Sequence, residues 1–268
     1  MDLLRETERD SLYIRHAIDE LPDNKGVALH IHDRCEVFYY ISGNAQYLVE
    51  GSLYPLERGS LLIMRPGEAH CIRFLSGERY ERYAVNFPIS LFDSFDPQRR
   101  LLSPYLHRAL GQRNHYYIPD LEDTLHDLAY FEGDDYARRL LFITRLAALM
   151  ERLGQQSAEK PAAAPTVSEK LVRYVNDMLC GNITVRQLAE HFFLSTSQFS
   201  RLFRAATGAS PRAFITAKRL ILAKELLQRG MGAKKAAEEC GFGDYSVFYK
   251  AYVKRFGEKP SGCTRSYP

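Results

Sequence analysis

The stretch Ala237–Ser261, AEECGFGDYSVFYKAYVKRFGEKPS, reads as two short helices around a tight turn. Ala236, Ala237 and Cys240 make the apolar stripe of the first helix. Asp244 is a natural N-cap for the second, in which Val247, Phe248, Tyr252 and Phe256 recur at helical spacing until Gly257. Tyr245, Ser246, Tyr249 and Lys250 are left facing outward. The pattern has a copy 49 residues upstream: Phe199 matches Phe248, Arg201 matches Lys250, Phe203 matches Tyr252, Gly208 matches Gly257 and Pro211 matches Pro260. There Val185, Leu188, Ala189 and Phe192 make the leading stripe. Phe199, Leu202 and Phe203 make the following one, with Thr196, Ser197, Gln198, Ser200, Arg201 and Arg204 on the polar face.

Each copy has what a helix-turn-helix needs: a buried stripe that fixes the second helix, and an exposed face whose N-terminal residues can reach base edges. Thr166 with Glu169, Thr184 with Gln187, and Ser195 with Gln198 fit capping boxes. Ser210-Pro211 adds a further helix start, and Gly181, Gly208, Gly230 and Gly257 are expected stops. Seven short helices are predicted. The second copy, together with ITVRQLAEHFFLSTSQFSRLFRAATGASPRAFITAKRLILAKELL (Ile183–Leu227), strongly resembles the double helix-turn-helix module of the AraC/XylS family of bacterial transcription regulators over about residues 166–265. The resemblance places base-contacting positions on Thr196, Ser197, Ser200 and Arg201, and on Tyr245, Ser246, Tyr249 and Lys250. Arg201 stands out because a guanidinium can hold guanine O6 and N7 bidentately. Arg204, Lys218, Arg219, Lys254 and Arg255 are candidates for phosphate contact. Two positions depart from the family pattern: Phe193 stands in the turn where Gly is usual, and Gly262-Cys263 stands where better helix formers follow the Pro-Ser.

Charge divides the chain in the same way. Residues 166–268 carry 17 Lys and Arg against 8 Asp and Glu, a balance of +9, whereas residues 1–165 carry 19 against 25, a balance of −6. A basic module beside an acidic one points to a polyanion partner, double-stranded DNA above all. GQQSAEKPAAAP (Gly154–Pro165) lacks large apolar residues and reads as the linker. With 268 residues and 46% hydrophobic content the chain has material for two folded units, and general disorder is excluded. No apolar run has the length of a membrane span, and the N-terminus lacks a signal peptide's pattern, so a cytoplasmic location is expected. Cys35, Cys71, Cys180, Cys240 and Cys263 form no CxxC pair and read as reduced thiols.

Upstream of the linker, runs such as Glu36–Ile41, Ala45–Val49 and Ser60–Met64 alternate with turn signals every 8–12 residues, as in a small β-sandwich or barrel. Helices are predicted over Leu101–Leu110, Leu121–Phe131 and Asp135–Leu153. The last has Leu140, Leu141, Ile143, Thr144, Ala147, Ala148 and Met150 at helical spacing. Such a helix packs on its own sheet or on a partner chain. His30-x-His32-x3-Glu36-x6-Gly43, followed by Gly59, Pro66-Gly67 and His70, resembles the two sequence motifs of the cupin superfamily, whose barrel is the usual sensor domain of AraC-type regulators. In metal-binding cupins those two His, one Glu and a later His hold a divalent transition metal. Placed on one extended strand, His30, His32 and Glu36 share a face. The same groups serve equally as polar lining of an effector pocket, or as structure. Tyr39, Arg73 and Tyr83 are further candidates for the cavity wall.

The expected architecture is therefore an α+β two-domain chain: an arm and cupin-like barrel (1–87), a helical dimerisation segment (88–153), a linker (154–165) and an all-α double helix-turn-helix domain (166–268). The expected function is sequence-specific DNA binding under the control of a small molecule or metal. The family resemblance implies an activator that works as a homodimer with RNA polymerase. No catalytic triad, phosphate loop or dinucleotide fingerprint is present. The alternatives are a metal-dependent cupin enzyme with an appended DNA-binding domain, and a constitutive DNA-binding dimer.

Overall fold

A computed structural model describes residues 2–9, 12–25, 27, 29–156 and 166–262. The chain divides into two compact units, Met1–Ala164 and Pro165–Pro268.

In the first unit a six-stranded antiparallel sheet has the order β1-β2-β8-β3-β6-β9, from β1 (Asp2–Arg9), β2 (Leu12–Asp19), β3 (Cys35–Ser42), β6 (Ser60–Met64), β8 (Tyr80–Phe87) and β9 (His115–Tyr117). A three-stranded sheet has the order β5-β4-β7, from β4 (Ala45–Val49), β5 (Ser52–Pro55) and β7 (His70–Phe74). The expected barrel is thus built as two facing sheets. Alternation along the strands gives the large sheet two apolar faces. Phe38, Tyr40, Leu62, Met64 and Tyr80 pack toward Ala45, Tyr47, Val49 and Tyr54 of the small sheet. Ile14, Val37, Tyr39, Ile63, Tyr83 and Val85 on the other face pack against α2 (Glu122–Tyr130) and α3 (Asp135–Gln155).

Several local expectations need correction. The N-terminal arm contributes two eight-residue strands, β1 and β2. Leu101–Leu110 yields a single helical turn, α1 (Ser103–Leu106). The chain then bends at Gly111, which takes φ +68 where a Cβ would meet Glu50 Cβ at 2.7 Å and the Val49 carbonyl at 2.8 Å, before β9 pairs with β6. The buried stripe of α3 is Phe142, Leu146, Leu149, Met150 and Leu153. Leu140, placed in that stripe by sequence, is 50% exposed, and Leu141, Ile143 and Ala147 are partly buried. Because α3 runs to Gln155, it takes in the start of the expected linker; residues 157–165 of that linker lie outside the described residues.

The second unit is helical: α4 (Val167–Asp177), α5 (Val185–His191), α6 (Thr196–Thr207), α7 (Pro211–Gln228), α8 (Ala233–Glu239), α9 (Tyr245–Phe256) and a closing 3-10 turn, Pro260–Gly262. All three expected capping boxes form, and the side chains of Ser210 and Asp244 cap α7 and α9. Gly208 and Gly257 end α6 and α9 in the left-handed conformation, at φ +74 and +71. Gly181 is no stop for α4, which ends earlier, at Asp177. Cys263 lies outside the described residues. Leu220, Ala223 and Leu227 of α7 pack with Ala236, Ala237, Cys240, Phe248 and Tyr252, so the connecting helix is the core of the second copy.

Candidate DNA interface and effector cavity

The turn of the first helix-turn-helix is closed by the Leu194 N–H donating to the Ala189 carbonyl at 2.9 Å. Phe193 takes φ +55 in this turn and is 97% exposed; the residue in the same place of the second copy is Gly241, at φ +79. The turn geometry is therefore kept despite the bulky residue, and the aromatic ring is carried into solvent.

On α6, Thr196, Ser197, Arg201 and Arg204 are exposed and Ser200 is half-buried. Gln198 is exposed, but its Oε1 accepts from both the Ser195 N–H and hydroxyl at 3.0 Å, so its carbonyl end belongs to the helix cap. On α9, Tyr245, Ser246 and Lys250 are exposed and Tyr249 is half-buried. Val247, assigned by sequence to the buried stripe, is 57% exposed and joins this outer face.

Two basic residues proposed for phosphate contact are otherwise engaged. Lys218 is buried, with its ammonium 5.3 Å from the Phe214 ring centroid. Arg219 donates to the carbonyls of Leu179 at 2.8 Å and of Gly181 and Gly241 at 2.7 Å. One guanidinium on α7 thus ties the end of α4 to the turn of the second copy. Sequence reasoning read it as a surface charge because nothing in the local pattern reveals distant carbonyls.

In the first unit a cavity of about 220 Å³ lies between the sheets. Its wall includes Tyr13 and Arg15 from β2, Glu36 and Phe38 from β3, and Tyr80, Arg82, Ala84 and Asn86 from β8. Tyr47, His70 and Ile72 line it from the small sheet, and His30 and His32 from the loop before β3. His30, His32 and Glu36 do not share one strand: His30 makes an isolated bridge to His70, and β3 begins at Cys35. The bend between them still brings His32 Nε2 within 2.8 Å and His70 Nε2 within 3.3 Å of Glu36 Oε2. These three ligand atoms lie within 4.8 Å of one another, and His30 is outside the cluster.

Burial alone would push the Glu36 carboxyl up, but the His70 charge and hydrogen bonds from His32 and His70 outweigh it and hold it well below the usual range. Burial would likewise lower His70, and Glu36 raises it instead. Tyr39 and Tyr83 point to the helix-covered face of the large sheet, away from the cavity. Arg73 alternates with Ile72 on β7 and is not in the cavity wall. The wall residues that the sequence reading does not include are Tyr13, Arg15, Phe38, Tyr47, Ile72, Tyr80, Arg82, Ala84 and Asn86. The available signal was the alternation of Tyr80, Arg82, Ala84 and Asn86 along one strand face.

Comparison with known proteins gives two family matches. An AraC-like ligand binding domain matches residues 16–150, and a helix-turn-helix domain matches residues 188–266. The probable transcriptional regulator LumQ of Photobacterium leiognathi is 35% identical over 239 residues, covering 89% of this chain and 92% of LumQ. The thermoregulatory protein LcrF of Yersinia pestis is 25% identical over 241 residues, covering 86% of this chain and 89% of LcrF. Among solved structures, ToxT from Vibrio cholerae aligns over 94% of this chain and 97% of its own, with 13% identity and a TM-score of 0.43. With a ligand-binding half and a helix-turn-helix half both matched, the chain belongs to the AraC family of ligand-responsive, DNA-binding transcriptional regulators.

Proposed function

We propose that this protein is a cytoplasmic, homodimeric transcriptional activator that reads promoter DNA with α6 and α9 and takes its effector in the cavity between the two sheets. The observation that carries the reading is the polar outer face of the two capped recognition helices, joined through one buried helix, α7. Thr196, Ser197, Ser200 and Arg201, with Gln198 through its amide nitrogen, face one major groove. Tyr245, Ser246, Tyr249 and Lys250 face the next, about 34 Å along the duplex. Arg204 is placed for phosphate. The dimer is assigned to the outer face of α3, where Tyr136, Leu140, Ile143 and Ala147 follow one another at helical spacing without being fully buried in their own unit. RNA polymerase is the expected partner in activation. Footprinting of the full-length protein on its own upstream region tests this: two protected sites about one helical turn apart per protomer are expected. Protection confined to one groove in the wild type and unaffected by Lys250→Ala would refute the two-helix reading.

One observation favours a second role for the same cavity. The Nδ1–H of His32 donates to the Arg34 carbonyl at 3.1 Å, and that of His70 to the Glu68 carbonyl at 2.8 Å. With Nδ1–H committed to a carbonyl, each imidazole turns Nε2 toward Glu36, as a donor to the carboxylate while that nitrogen holds its proton and as a metal ligand once the proton is lost, which makes a two-His, one-carboxylate set. A divalent transition metal fits these three groups, and would add a Lewis-acidic point for an effector to ligate. Metal analysis of untagged protein decides it: near-stoichiometric metal lost in His32→Ala/His70→Ala supports the site, and metal-free wild type removes it.

A further inference from the structure

The cavity is electrically divided along its length. Register places Glu36 opposite Asn86, Phe38 opposite Ala84 and Tyr40 opposite Arg82. The backbone positions of Arg82 and of Asn86 opposite Glu36 are therefore four residues apart along the strand, roughly 13 Å, with Phe38 and Ala84 between them, although the long Arg82 side chain still feels the Glu36 charge. The cluster end is satisfied internally by its own short contacts.

The other end is not. Among the described residues no carboxylate lies within ion-pair distance of the Arg82 guanidinium; the Phe38 ring is 5.9 Å away, and Tyr80, Tyr47, Glu36 and Tyr13 act on it only through longer-range electrostatics. Beside it in the wall, the Tyr80 hydroxyl is buried with no hydrogen-bond partner. Burial holds that phenol protonated well past neutrality, so it remains a donor. A permanently charged fork and an unsatisfied hydroxyl donor side by side both lack the same thing, an acceptor carrying negative charge. Arg15 and Tyr13 line the same cavity farther along, Arg15 opposite Ala84 at mid-length and Tyr13 opposite Asn86 at the cluster end.

We propose that the effector is a small organic oxyanion whose charged group is held by Arg82 and Tyr80, with a short apolar body along Phe38, Ala84 and Ile72 and its far end toward the histidine cluster. This assignment rests on the reading of the cavity as the effector site. At about 220 Å³ the space suits a metabolite of modest size, since drug-sized ligands occupy pockets of about 300 Å³ and more. Arg82 supplies a bidentate contact that a neutral isostere cannot use.

Calorimetric titration of the full-length protein at constant ionic strength, with benzoate, benzamide and inorganic phosphate as probes, tests both claims separately. The variants are Arg82→Gln, Tyr80→Phe and Ala84→Phe. Tyr80→Phe removes an oxygen with no partner, so its fold is unaffected and it guards against misfolding of Arg82→Gln. Saturable benzoate binding is expected in the wild type, at least about tenfold weaker for benzamide and for Arg82→Gln, weaker in Tyr80→Phe, and abolished by Ala84→Phe, which fills the cavity. Phosphate binding with the same Arg82 dependence would support the oxyanion site and identify a phosphoryl rather than a carboxyl effector. Benzoate and benzamide binding alike, and both lost in Ala84→Phe, overturns the anion assignment and leaves the effector cavity standing. No binding by either anion, or anion binding that survives Ala84→Phe, overturns the proposal and the cavity reading together.

Discussion

At Phe193 the backbone sits at φ +55 while the side chain touches almost nothing, being 97% exposed. A residue with a Cβ costs about 1–2 kcal/mol in the left-handed region, and the ring gains no burial in return. Phe193→Gly is therefore expected to stabilise the second unit by about 1 kcal/mol in urea unfolding, with part of the relief lost to the greater freedom of Gly in the unfolded chain. An unchanged or lowered stability would mean that the ring is buried against something beyond the isolated chain. Arg201 is the opposite case, an exposed residue whose proposed role is to contact DNA. Arg201→Ala is expected to relax sequence preference at one base position and to weaken specific binding by about 1–3 kcal/mol in competition assays. Glu68 and Arg108 show what a charge does when sealed inside. Arg108 gives a bidentate pair to the Glu68 carboxylate at 2.6 Å, and Arg65, Gly111 and Asn114 donate to the same oxygens at 2.9–3.2 Å. Burial would raise the Glu68 carboxyl, but Arg108 and these hydrogen bonds hold it below its usual value. A carboxyl depressed in the folded state adds stability that is fully present above its unfolded pKa of about 4.3 and is lost as pH falls through the folded value. Glu68→Gln is expected to cost about 3–5 kcal/mol at neutral pH by stranding the Arg108 charge, and to flatten the acid limb of the first unit's stability profile; an acid limb as steep as the wild type's would assign it to other carboxylates.

Elements whose boundaries are written in local chemistry were legible in the sequence. α6 and α9 start at Ser195 and Asp244 and stop at Gly208 and Gly257, as read, because a cap is a contact between residues three or four apart. The elements that were misread depend on partners far along the chain. β1 (DLLRETER) and β2 (LYIRHAID) lack a clean period-two pattern and become strands through pairing, β2 with β8 and β1 with β2. β9 is three residues long and exists by pairing with β6. The cavity wall followed the same division: His32, Glu36 and His70 were visible as a motif, whereas Arg82 needed the register of β8 against β3 to be placed opposite Tyr40. On α3 the apolar pattern was clear but its phase was not, because two apolar faces compete. The buried one is Phe142, Leu146, Leu149 and Leu153, and the outer one runs through Tyr136, Leu140 and Ile143. If the outer face joins two protomers, Leu140→Glu/Ile143→Glu is expected to sediment as a folded monomer, since neither residue belongs to the fully buried core. A dimer of unchanged tightness would move the interface elsewhere.

The whole molecule separates charge as well as structure, with +9 on residues 166–268 and −6 on residues 1–165. The separation has a kinetic and an equilibrium consequence for a DNA reader. Basic residues that neutralise phosphates release condensed counterions, so affinity falls with salt at a slope set by the number of phosphates engaged. Lys218 and Arg219, two of the basic residues of that half, are tied up inside the helical unit. The slope is therefore expected to be smaller than the net charge suggests, while still costing orders of magnitude between 50 and 200 mM salt if six or more phosphates are engaged. An acidic first unit repels DNA at long range, which favours release from non-specific sequence over release from an operator held by base contacts. The full-length protein is accordingly expected to show a larger ratio of operator to non-specific affinity at low salt than residues 166–268 alone, and the two ratios are expected to converge as salt screens the first unit's charge over about 10 Å. Fluorescence anisotropy with operator and scrambled duplexes across a salt series measures this. Ratios that are equal at every salt concentration would show that the acidic half contributes nothing electrostatic to specificity, and would leave effector control as its sole influence on DNA binding.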